Sequence, residues 1–171
     1  MASELITAVI PTYNRSKLLR RAVLSVLGQR YPHVQVCIWD NASDDETEAM
    51  VAGMFGVGSR VQYYRREKNV GFINNLNHGL TEVKTPYFCV LADDDLLFPW
   101  FLESAMSGFA QHPDAMFSAL DSIKVDEASS VMAGPVLVGE GDDARRFALI
   151  NGSWLPADEL PAGFLLGQGH R

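Results

Sequence analysis

The sequence predicts an α/β fold, a mostly parallel sheet flanked by helices, and three observations point to it. Short apolar runs with β-branched members recur along the chain as far as Val125. Most are followed by a segment whose apolar residues fall at helical spacing. The turns from strand to helix collect Asn, Asp and Ser. Strands that alternate with helices imply right-handed crossovers in a parallel sheet, and such sheets bind ligands at the carboxyl ends of their strands.

Leu5 to Ile10 reads as a buried strand that stops at Pro11, where proline withdraws its backbone donor. Asn14 or Ser16 can cap the following helix, in which Leu18, Leu19, Ala22, Val23, Val26 and Leu27 recur until Gly28 and Pro32. Val34 to Trp39 is the second strand. The turn Asp40-Asn41-Ala42-Ser43-Asp44 leads from it into a helix carrying Ala49, Met50 and Met54. Val61 to Tyr64 is a shorter third strand, and after Asn69-Val70-Gly71 a helix presents Phe72, Ile73, Leu76 and Leu80.

Tyr87 to Leu91 is continuously apolar, the pattern of a central strand covered on both faces, and it runs into Asp93-Asp94-Asp95. A helix from beyond Pro99 to about Gln111 and a strand over Met116 to Val125 complete a core of residues 1–125. Residues 126–171 form a second region. It holds a loop or arm of small residues from Asp126 to Asp143, a short helix around Asp142 to Ile150, and a Gly- and Pro-rich stretch from Asn151 without periodicity.

A chain of 171 residues, 47% hydrophobic and 20% charged, can bury a core of its own. A formal charge of -7 argues against nucleic acid or an anionic membrane surface as the main partner, since both reward dense Lys/Arg patches. Cys37 and Cys89 sit inside apolar runs and read as buried thiols in a reducing compartment. With no signal-like leader and no apolar span near ~20 residues, the expectation is a cytoplasmic protein. Peripheral attachment at the inner face of a membrane would depend on other segments. The four histidines show no metal-ligand spacing, and there is no Gly-rich phosphate loop.

Three clusters carry chemistry, each at the end of a predicted strand. Asp93-Asp94-Asp95 sets three carboxylates side by side. Their repulsion is offset by a hard divalent cation such as Mg²⁺ or Mn²⁺, which prefers oxygen ligands and bridges carboxylates to phosphate. Asp40 beside Asn41 offers acceptors and donors that match a nucleobase edge. In Pro11-Thr12-Tyr13-Asn14 a tyrosine can pack on a base. Each cluster taken alone also reads as an ordinary turn.

Together these residues resemble the family-2 glycosyltransferases of the GT-A fold. Ile10-Pro11-Thr12-Tyr13-Asn14-Arg15 is similar to the family's opening motif, and Trp39-Asp40-Asn41-Ala42-Ser43-Asp44-Asp45-Glu46-Thr47 to its base-binding segment. Asn69-Val70-Gly71-Phe72 and Asn77-His78-Gly79-Leu80 resemble a pattern of members that transfer rhamnose and related sugars. The acidic segment with Pro99 closes the series, which spans Ile6 to Leu102.

The resemblance implies a nucleoside-diphosphate sugar donor, a divalent metal, Mn²⁺ or Mg²⁺, and a glycan or lipid-linked acceptor. It places Pro11 and Tyr13 in the nucleoside pocket, Asp40 and Asn41 on the base, and Asp93 at the ribose or sugar. Asp94 becomes the leading metal ligand, with Asp95 as a supporting or alternative one. Ala92 stands where many members have a further aspartate. Inverting transfer also needs a general base, and Asp158 and Glu159 are the candidates. Roughly 70 residues follow the acidic segment, fewer than the family's acceptor region occupies, so the chain reads as apparently truncated. Two other readings are a nucleotidyltransferase, which would show a Gly-rich basic loop after the first strand, and a non-catalytic nucleotide-sugar-binding module. Nothing in the sequence bears on oligomeric state.

Overall fold

The computed structural model describes residues 4–56, 59–120, 124–125 and 131–133. Ala2–Leu102 groups as one compact unit and the chain from Glu103 onward as another. The first unit holds four strands, β1 (Ile6–Thr12), β2 (Val34–Asp40), β3 (Val61–Arg65) and β4 (Tyr87–Val90). All pair in parallel in the order β3-β2-β1-β4. Helices α1 (Ser16–Leu27), α2 (Thr47–Met54) and α3 (Phe72–Thr81) follow the first three strands, and α4 (Phe101–Gln111) follows β4. The α/β, mostly parallel reading of the sequence therefore holds.

The period of two along a strand divides the core between the two faces of the sheet. Val9, Cys37 and Trp39 form a cluster against Leu76, Leu80 and Val83, on the side of α3. The alternate residues Ala8, Ile10, Val36 and Ile38 are fully buried, as are Leu19, Ala22, Val23 and Val26 of α1, which packs on β1 and β2.

Several elements differ from expectation for physical reasons. β1 continues through Pro11 to Thr12. β4 leaves the ladder after Val90, so β1 loses its partner on the side to which Pro11 turns its donorless nitrogen, and the proline costs no hydrogen bond. Neither Asn14 nor Ser16 caps α1. Asp45, from the turn after β2, accepts the Ser16 amide at 3.1 Å instead. On α2 the buried residues are Thr47 and Val51, not Ala49, Met50 and Met54. On α3 they are Asn75 and Gly79, while Phe72 and Ile73 are 58% and 61% exposed.

β4 forms the sheet edge among the described residues, with Phe88 and Val90 exposed, so it is not the doubly covered central strand its composition suggests. The second unit holds an antiparallel pair, β5 (Lys124–Val125) and β6 (Val131–Ala133). Of the strand expected over Met116 to Val125, the described residues 116–120 are not strand and Lys124–Val125 are β5, while part of the expected 126–143 loop is β6. The helix expected around Asp142 to Ile150 lies outside the described residues.

Candidate functional site

Parallel strands end together, and the turns after β1, β2 and β4 meet on one side of the sheet. A cleft of about 430 Å³ opens there, and its lining includes Pro11, Tyr13, Arg15, Asn41, Asp93 and Asp94. Of the nine residues singled out in the sequence, five thus line one cleft. Asp40, fully buried, and Asp95 lie outside its lining, and Asp158 and Glu159 lie outside the described residues.

The acidic end is held from β1. Asp93 is buried, and its Oδ2 accepts the Thr12 hydroxyl at 2.7 Å. Its other oxygen, Oδ1, meets Arg15 Nη1 at 3.0 Å, and the same nitrogen reaches Asp94 Oδ2 at 3.1 Å. Hydrogen bonding and charge from Asp93, followed by the charge of Asp94, raise the Arg15 pKa above its ordinary value. Asp95 is exposed, and its amide closes a tight turn on the Ala92 carbonyl at 3.1 Å.

The convergence of two carboxylate oxygens on one cationic nitrogen tests whether a metal fits. Asp93 and Asp94 already share a point that a hard divalent cation could occupy. Among the described residues no group of three or more Asp, Glu, His or Cys side chains converges. Two protein ligands suit Mg²⁺-type binding, in which phosphate and water oxygens fill the remaining positions.

The β2 end is a closed network. Asp40 has no exposed surface. Its Oδ1 accepts the Ser43 amide at 2.9 Å and the Ser43 hydroxyl at 2.6 Å, while Oδ2 accepts the Tyr63 hydroxyl and faces Arg65 Nε at 3.8 Å. Burial, and then the bond to Asp40, raise the Tyr63 pKa well above its ordinary value. Ser43 Oγ in turn accepts the Asn14 amide at 2.9 Å, and Asn14 Oδ1 accepts the Asp44 amide at 2.8 Å. Asn14 and Ala42, at φ 55 and 67, adopt the left-handed region that non-glycine residues rarely occupy. The mutual bonding of the two turns holds them there.

Asn41 joins a third turn to this rim. Its Nδ2 donates to Asn69 Oδ1 at 2.8 Å, and its Oδ1 accepts the Val70 amide at 2.9 Å. Gly71, at φ 83, then starts α3 and leaves Phe72 exposed on the cleft wall. Asn75, 1% exposed, ties α3 to β2 by donating to the Trp39 carbonyl at 2.7 Å. Tyr13 is 43% exposed, which leaves its ring available to the cleft.

Sequence reasoning assigned no role to Thr12, Arg15 or Asn75. Thr12 and Arg15 stand inside the quoted opening motif, and the register that places β1 beside β4 is the signal that brings them to the carboxylates. The two thiols take no part: burial pushes Cys37 up and Cys89 up to about 12, so neither is a ready nucleophile.

The model of glycosyl transferase family 2 matches residues 7–147. The chain is 33% identical over 97 residues to an uncharacterized glycosyltransferase of Rickettsia typhi, an alignment covering 57% of this chain and 29% of that protein. S. aureus TarS 1–349, solved in complex with UDP, shares the fold with a TM-score of 0.63 at 21% identity, over 74% of this chain and 38% of that one. A mannosyltransferase from Pyrobaculum calidifontis, solved in complex with GDP-Man and Mn²⁺, gives a TM-score of 0.61 at 20% identity, over 71% and 36%. The fold is GT-A, and the chain spans about a third of the length of these proteins.

Proposed function

This chain belongs to glycosyl transferase family 2, and on that premise we propose that it binds a nucleoside-diphosphate sugar in the cleft at the strand ends. The sugar then passes, with inversion, to a glycan or lipid-linked acceptor. One observation carries the reading: Asp93 and Asp94 present two oxygens to a single cationic point in a cleft whose lining also includes Tyr13 and Asn41. A divalent metal, Mn²⁺ or Mg²⁺, would be held by Asp93 and Asp94 and would neutralise diphosphate charge as the nucleotide leaves. Asp95 would support them from the following turn. The GDP-Man and Mn²⁺ bound by the Pyrobaculum enzyme are consistent with this chemistry.

Tyr13, Pro11 and Asn41 would receive the nucleoside. Asp40, fully buried, would act by fixing the turn that carries Asn41. Asp158 and Glu159 are the proposed base carboxylates. No helix among the described residues is long and apolar enough to cross a membrane. The proposed setting is the cytoplasm, at the inner face of a membrane where a lipid-linked acceptor would be met.

Calorimetry with UDP, GDP and dTDP, each with Mn²⁺ and each in chelator, tests the reading. Binding of one nucleotide only with Mn²⁺ is expected, because two phosphates beside Asp93 and Asp94 otherwise meet like charge. Equal affinity in chelator would remove the metal from the mechanism.

A further inference from the structure

Arg15 stands where the proposed metal would stand. A single nitrogen of its guanidinium lies between Asp93 Oδ1 and Asp94 Oδ2, at 3.0 and 3.1 Å. Nothing local demands that pose. Arg15 precedes α1 without making a side-chain cap, and its side chain is 51% exposed, so other rotamers are open to it. Asp93, by contrast, is fixed from behind by Thr12. The carboxylate is the buried, doubly held partner and the cation is the half-exposed one.

We propose that Arg15 is a resident counter-cation for the Asp93–Asp94 pair, displaced when a divalent ion enters and then turned toward the diphosphate in the same cleft. The inference rests on the metal-dependent reading above. Three physical points support it. Two carboxylates this close repel unless a cation lies between them, and Arg15 supplies one before metal arrives. The pair with Asp94 is half-exposed at both ends and worth little, and a divalent ion that takes over the buried Asp93 as well leaves no carboxylate unpaired when it replaces Arg15. Once displaced, the guanidinium remains on the cleft wall, where Arg suits phosphate oxygens.

The reading predicts effects of opposite sign in one variant. In Arg15→Gln the full chain should bind Mn²⁺ alone more tightly, by about three-fold, since metal no longer competes with the guanidinium. The same variant should bind inorganic pyrophosphate in the presence of Mn²⁺ about three-fold more weakly, because a phosphate donor is lost. Arg15→Lys keeps the charge and should stay near wild type in both. Mn²⁺ affinity is read from the electron paramagnetic resonance of the free ion, and pyrophosphate affinity by calorimetry. Thermal melting of each variant confirms that it folds. Unchanged or weaker Mn²⁺ binding in Arg15→Gln, with wild type binding Mn²⁺ normally, overturns this inference alone. Tighter Mn²⁺ with unchanged pyrophosphate overturns it as well, because the displaced arginine then has no role toward phosphate. If wild type binds no Mn²⁺ and nucleotide binding is the same in chelator, the metal-dependent reading fails and this inference fails with it.

Discussion

A carboxylate with no exposed surface depends entirely on protein partners, and Asp40 has three hydrogen-bond donors, the Ser43 amide and hydroxyl and the Tyr63 hydroxyl, with Arg65 facing it at 3.8 Å. Asp40→Ala would leave those donors buried and unmet, at a stability loss of about 3 kcal/mol. Urea unfolding of the variant checks this. Intact stability with lost nucleotide binding would instead return Asp40 to the base edge. Gly79 is the second residue whose size matters. A Cβ there would lie 2.7 Å from Trp39 Cδ1, and that indole is stacked on Tyr64 at 4.6 Å and met edge-on by His78. Helix propensity favours Ala over Gly by roughly 1 kcal/mol, whereas overpacking costs about 1–3 kcal/mol. Gly79→Ala should therefore lower Tm, and a raised Tm would show that the indole has room to move. The identities of Asp40, Asn41 and Asp93 were legible in the sequence because each follows an apolar run. Their partners were not, since Tyr63, Asn69 and Thr12 lie 23, 28 and 81 residues away from them.

Helices α1 and α2 begin on a shared carboxylate. Asp45 accepts the Ser16 amide at 3.1 Å through Oδ2 and the Thr47 amide at 2.9 Å through Oδ1. Partial burial alone would raise its pKa, but the hydrogen bonds from Thr47 and Ser16 outweigh that and hold it below the ordinary carboxylate value. A lowered folded-state pKa stabilises above the unfolded value, near 4, and that contribution is lost as pH falls through the lower folded value. Asp45→Ala should cost about 1 kcal/mol between pH 5 and 7, as a lost helix cap does, with the gap to wild type closing as pH falls below the unfolded value, near 4, and through the lower folded one. Thermal melts of both proteins across that range would show it, and a gap independent of pH would assign the effect to packing. This shared cap escapes sequence reasoning, which looks for a cap beside its own helix. The face of α3 was misread for a related reason. Its apolar residues suggested Phe72 and Ile73 inward, but Asn75 is drawn in by the Trp39 carbonyl and Gly79 by close approach to the indole. The apolar run of β4 was legible as a strand, whereas its place at the sheet edge depends on which neighbours it has.

At the scale of the whole molecule, the position of the candidate cleft follows from topology: parallel strands joined by helices bring polar turns to one side. What topology does not give is how far those turns act as a unit. The turn after β1 is bonded to the turn after β2 through Asn14, Ser43 and Asp44, and the turn after β2 to that before α3 through Asn41, Asn69 and Val70. The Thr12 hydroxyl adds the β4 end through Asp93. Opening any one turn therefore breaks bonds in the next, so the rim should open as one cooperative piece. A ligand that binds only the closed rim stabilises it by about 2.7 kcal/mol at a hundred times its Kd, which slows exchange from the open state up to about a hundred-fold. Hydrogen exchange with saturating nucleotide and Mn²⁺ should then slow the amides of Asn14, Ser43, Asp44 and Val70 together, although a ligand seated in the cleft need not touch them all. The amide of Phe55, at the far end of α2, belongs to none of these turns and should slow less. Protection confined to one turn, with the other amides unchanged, would mean that the three turns bind independently and that the bonds between them are too weak to couple them.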